Sequence, residues 1–239
     1  MVTAEEIIEC LISMADEAKS RQLSKFFKTG KGQYAEGDKF LGLVVPKTRL
    51  VVKEARLQVP FSEIQILLYS EWHEVRLAGF LLLVEEMKAA KKNAERQDLI
   101  AEFYLRHARQ ANNWDLVDLS CPKILGEWLV RPSADRSVLD RLVSSDNLWE
   151  QRIGIVTTWR IIRENQFEDT LRLAEKLLNH PHDLIHKATG WMLREVGKKD
   201  PDVLRDFLDA HFADMPRTAL RYAIEKLPDP ERQFWLHRR

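Results

Sequence analysis

Three observations predict an all-α fold for this 239-residue chain. Apolar residues recur at i, i+3, i+4 and i+7 spacing over most of its length. Alternating, strand-like runs are nearly absent. Nine glycines and nine prolines fall mostly between the periodic stretches, where helix breakers belong.

Taken in order, an N-terminal helix is followed by a segment, 29–38, that holds three of the nine glycines and reads as a loop before a helix opening near Pro46. It is not a phosphate-binding P-loop, because the G-x-x-x-x-G-K-[ST] pattern is missing and no strand precedes it. Helical periodicity then runs over 61–88, 97–110, 149–164 and 170–179. Ser133 and Asp146 stand where N-caps are expected, and Asp200-Pro201 reads as a cap followed by a proline-opened helix. Trp149 is expected as a packing anchor, and Cys121 as a small buried residue in an apolar helix.

Composition narrows the function. With 45% apolar residues the chain can bury a sizeable core. The 37 Lys and Arg balance 37 Asp and Glu, so any affinity for nucleic acid must come from local patches. One such patch is 21–56, with nine Lys and Arg against three acids, where Lys31 in the glycine-rich loop is a candidate phosphate contact. The acidic N-terminus lacks the basic start of a secretory signal, and the run 77–84 is too short to cross a bilayer, so a cytoplasmic protein is expected. Two cysteines, Cys10 and Cys121, make neither a disulfide framework nor a CxxC pair. His180, His182 and His186 read as a loop and not as a metal site, so no metal or organic cofactor is expected.

A weak repeat also emerges. Arg76, Asp118, Arg152, Lys187 and Arg217 mark similar polar-then-apolar helix starts at intervals of 42, 34, 35 and 30 residues. That spacing suits stacked helix pairs of the HEAT, armadillo or TPR kind, whose second helices line one face and would align the basic markers into a stripe. Asp115 and Asp118 lie three residues apart, and Trp114 precedes Asp118 by four, so on a helix they share a side. An indole beside a carboxylate favours a positively charged, sugar-like transition state. The plainer alternative is a core Trp114 with Asp115 capping the helix. Arg152 suits a phosphate through its planar fork, or else a salt bridge between repeats. Gly190 permits close helix approach, and Trp191 falls four residues after Lys187.

Asn113-Trp114-Asp115-Leu116-Val117-Asp118, the stretch from Ser145 to Arg152 (SDNLWEQR) and the stretch from Lys187 to Glu195 (KATGWMLRE) together resemble the AlkD family of DNA alkylation repair glycosylases. Phe27-Lys28-Thr29-Gly30 and Pro216-Arg217-Thr218-Ala219 are similar to it as well, and the resemblance covers essentially the whole chain as one domain, 1–239. It implies a curved solenoid of HEAT-like repeats gripping duplex DNA in a concave face, and excision of cationic N3- and N7-alkylated purines; a solenoid with polar ends is expected to be a monomer. By motif, Trp114 and Trp191 would wall the deoxyribose, Asp118 would be the catalytic carboxylate, and Arg152 would hold phosphate. Arg76, Lys187, Arg194, Arg217 and Lys31 would make further DNA contacts, while Asp115 keeps its capping role. A noncatalytic binder of unusual DNA structures and a protein-interaction module would use the same scaffold.

Overall fold

In the computed structural model, which describes residues 1–238, the chain is all-α. Fourteen α-helices are present among the described residues, and the one β-type pairing there is an isolated bridge between Lys39 and Trp72. The helices form two compact units, Met1–Ile124 and Leu125–Arg239.

The first unit contains α1 (Ala4–Ser13), α2 (Glu17–Phe26), α3 (Val45–Ala55), α4 (Phe61–Leu68), α5 (His73–Ala89), α6 (Ala94–Arg106) and the start of α7 (Trp114–Leu129). Thr3 and Glu6 form a capping box at α1, while Asp16 and Asn93 cap α2 and α6. α5 is buried on nearly every side and packs against α1, α3, α4 and α6. It therefore shows little amphipathicity although it is a firm helix. Each fully buried Leu or Phe along it, such as Leu81 or Phe80, contributes about 2 kcal/mol.

The continuous period over 61–88 is broken in the structure at residues 69–72. There the backbone turns out of the helix, Ser70 Oγ accepts from Trp72 N–H, and His73 N–H donates to Lys39 O at 2.8 Å. Hydrophobic spacing carries over such a break because α4 and α5 bury neighbouring faces. The segment 29–38 is a series of turns, as expected, followed by an extended stretch that leads to α3. Gly42 in that stretch has φ +92°, and a Cβ there would lie 2.0 Å from Asp16 O, so only glycine fits.

The second unit is built from α8 (Ser137–Val143), α9 (Leu148–Ile162), α10 (Glu168–Leu177), α11 (Asp183–Lys199), α12 (Pro201–His211), α13 (Arg217–Ala223) and α14 (Asp229–His237). Here the repeat is plain: α8 packs on α9, α10 on α11, and the second helices α9, α11 and α13 pack in series. Gly190 lets α11 and α13 meet closely, because a Cβ at this position would come within 2.3 Å of Ala219 O. Leu193, Leu204, Phe207, Leu220 and Trp235 share the C-terminal core. Asp200 caps α12 as expected. The expected caps at Ser133 and Asp146 are displaced: α8 starts later without a side-chain cap, and Asn147 caps α9. Trp149 and Cys121 are buried as expected.

Candidate active site

In the first unit, α7 places Trp114, Asp115 and Asp118 on the wall of one cavity of about 440 Å³. Phe26 and Phe27 at the end of α2, Phe40, Val44 and Pro46 before and within α3, and Leu77 of α5 complete most of its apolar lining. Three carboxylates and one imidazole line it, and no Lys or Arg does so among the described residues.

Trp114 is half-buried and held from several sides. Its ring stacks on Phe27 with centroids 5.2 Å apart, meets Phe26 edge-on at 6.0 Å, and donates from Nε1–H to Tyr34 Oη at 3.3 Å. The stack continues from Phe27 to Phe40 at 5.0 Å and from Phe40 to His73 at 4.4 Å. Offset stacking of this kind fixes ring orientation more firmly than apolar burial alone.

His73 lies at the end of that column, 2% exposed, between two carboxylates. Its Nδ1 is 3.0 Å from Asp38 Oδ2, and its Nε2 is 2.9 Å from Asp115 Oδ2. Burial by itself would push the imidazole down. The charge and hydrogen bond of Asp115, followed by those of Asp38, outweigh burial and raise the pKa from 6.5 to about 9. Both ring nitrogens therefore donate near neutral pH. Burial likewise pushes Asp38 up, but His73 and Arg76 outweigh it and hold the carboxyl below its ordinary 3.8.

Asp115 thus departs from its expected capping role. Its Oδ1 accepts from Leu116 N–H at 2.9 Å and its Oδ2 is a charge partner of His73. Arg76 departs further. Expected on a DNA-facing stripe, it is 4% exposed, and its guanidinium donates to Asp38, Asn112 Oδ1 and Ser70 O. The repeat pattern located its helix position correctly, but α5 is interior, so that position faces protein. Glu74, beside it, accepts the N–H groups of Leu41, Gly42 and Leu43 at 2.8–2.9 Å and shapes the extended stretch along the cavity.

The other expected residues lie in the second unit, Lys31 excepted. Trp191 is half-buried and donates from Nε1–H to Glu195 at 3.2 Å. Arg152 is buried and donates to Leu184 O at 2.6 Å, an interior position unlike the phosphate-facing one expected and tying α9 to the first turn of α11. Arg194 pairs with Glu225 and Lys187 with Asp183 at 2.7 Å. Arg217 is exposed and donates to Leu236 O, and Lys31 is exposed in the glycine-rich loop. Sequence reasoning missed Asp38, His73, Tyr34 and Phe26. The Phe26-Phe27 pair beside the basic patch was the one local signal for any of them.

The family model described as DNA alkylation repair enzyme matches residues 7–227. No curated protein matches the sequence. Among solved structures, one described as a predicted DNA alkylation repair enzyme from Enterococcus faecalis is similar with a TM-score of 0.71 at 16% identity, over 90% of this chain and 97% of that one. At that identity the likeness shows the fold.

Proposed function

Because the chain belongs to the DNA alkylation repair enzyme family, we propose that it is a monofunctional glycosylase hydrolysing the N-glycosidic bond of N3- and N7-alkylated purines in duplex DNA, acting as a cytoplasmic monomer. The observation that carries this reading is the shared wall of Trp114 and Asp118 in a cavity lined by aromatic and acidic side chains and, among the described residues, by no Lys or Arg. Such a surface favours positive charge and disfavours phosphate.

The chemistry follows from the substrate. An N-alkylated purine is cationic, so when the C1′–N bond breaks its electron pair neutralises the departing base, and no general acid is required. The sugar takes on oxocarbenium character. Asp118 stabilises that charge and orients a water whose oxygen bonds to C1′, releasing a proton and leaving an abasic site. Trp114, held rigid by Phe27 and Tyr34, forms a wall against the deoxyribose, and Trp191 is assigned to the DNA by motif. Lys31, Lys187 and Arg217 are assigned to the duplex backbone. Arg152 and Arg194, engaged within the protein, position the helices that carry these groups.

The test is release of N7- or N3-methylated purine from alkylated duplex DNA by wild type and Asp118→Asn. Release by wild type that falls about 10²–10³-fold in the variant, with DNA binding kept, is expected. Binding without release by wild type overturns the enzyme reading in favour of a noncatalytic DNA binder.

A further inference from the structure

We propose that His73 is a positioning residue for this site: a buried imidazolium clamp between Asp38 of the glycine-rich loop and Asp115 of α7 that fixes the Trp114–Asp118 turn. The inference rests on the glycosylase reading for its catalytic consequence and on geometry for the clamp itself.

The geometry is specific. A single ring bonds two carboxylates that come from segments 77 residues apart in the chain, at 3.0 and 2.9 Å, with all three side chains nearly removed from solvent. Asp115 follows Trp114 directly and precedes Asp118 by one helical turn. Restraining its side chain therefore restrains the turn that presents both. Asp38 closes the loop that carries Tyr34, the hydrogen-bond partner of the Trp114 indole. The clamp thus holds Trp114 through the backbone on one side and through Tyr34 on the other. The ring also ends the Trp114–Phe27–Phe40–His73 column, where a cation on an aromatic face adds attraction.

The charged groups around the ring are Asp38 and Arg76, Asp115, and, across the cavity it lines, Glu74 and Asp118. Arg76 and the backbone N–H groups bound by Glu74 offset part of the negative charge, but three carboxylates remain on the cavity wall and favour a protonated ring. Loss of the proton leaves one carboxylate without its donor and loosens the clamp. Small displacements of aligned groups are costly to catalysis, so the consequence appears in the rate and not in the grip on DNA.

The experiment combines single-turnover base release, DNA affinity and imidazole and indole NMR between about pH 6 and 10, the range bracketing His73 titration. In wild type, the rate should fall as the His73 ring titrates near pH 9, and the Trp114 indole resonance should move with the same midpoint. In His73→Gln the rate at neutral pH should fall about tenfold to a hundredfold with DNA affinity nearly unchanged, and the alkaline fall should vanish. Asp115→Asn keeps an acceptor but removes a charge, so it should shift the fall toward neutrality. A Trp114 resonance indifferent to the His73 titration, or an Asp115→Asn variant with the wild-type pH profile, overturns the clamp. Should His73→Gln fail to fold, those two readouts still decide. Should wild type release no base, the glycosylase reading fails, while the resonances test the clamp independently.

Discussion

The two units stabilise themselves in different ways. The first gathers Arg76, His73, Asp38 and Asp115 into an interior polar network beside an aromatic cavity. The second stacks α9, α11 and α13 and places most of its ionic contacts nearer the surface, as in the cluster of Arg136, Asp169, Arg172, Asp140 and Lys176. Buried charge is costly unless paired with good geometry, whereas partly exposed pairs contribute little each. The contrast teaches where precision is concentrated: around Trp114 and Asp118 orientation is fixed by polar groups, while the repeat stack is fixed by shape.

Asp118→Asn presses the contrast hardest. On the proposed glycosylase reading, base release should fall about 10²–10³-fold, a larger effect than any change in thermal stability, as calorimetry would show. A large fall in stability would instead make Asp118 part of the structural network.

The next effect separates the units by pH. The His73 pKa is raised on folding, so its contribution is complete below about 6.5, shrinks as pH climbs to about 9, and is absent above that. The shift corresponds to a loss on the order of 3 kcal/mol between those limits. Hydrogen exchange at both ends of the range should show protection falling in residues 1–124 and little change beyond them. The lowered Asp38 pKa works in the opposite sense: its contribution is present above about 3.8 and is lost as pH falls through the lower folded value.

Gly190→Val does the converse. The added Cβ meets Ala219 O, so α11 and α13 must separate, at a cost of about 1–3 kcal/mol confined to the second unit. Urea denaturation followed by hydrogen exchange would locate it; equal losses in both units would show that the cost is not local to α11 and α13. Smallest of all, Lys31→Ala should leave stability untouched and reduce the slope of log affinity against log salt by about one, if Lys31 meets a phosphate.

Much of this was legible in the sequence. The 3.6-residue period predicted α9 and α10 nearly to their ends, and the markers Arg152, Lys187 and Arg217 fell on α9, α11 and α13. Nearest-neighbour packing repeats along the chain, so it writes itself into local spacing. Trp114 and Asp118 were likewise found together on one cavity wall because one helical turn joins them. The clamp was not legible. Residues 38, 73 and 115 have no spacing rule in common, since a tertiary contact alone brings them together. For the same reason Arg76 looked like a surface cation and Asp115 like a cap, although the unbroken apolar run 77–84 was a sign that α5 is surrounded.

The clamp also has a consequence for how the chain assembles. Asp38 cannot find His73, nor His73 find Asp115, until the intervening helices have formed and docked. The clamp is therefore among the later contacts of the first unit to close. On the ribosome the complete clamp must wait until residue 115 has left the exit tunnel, whereas helix pairs within the second unit can settle against one another as they emerge.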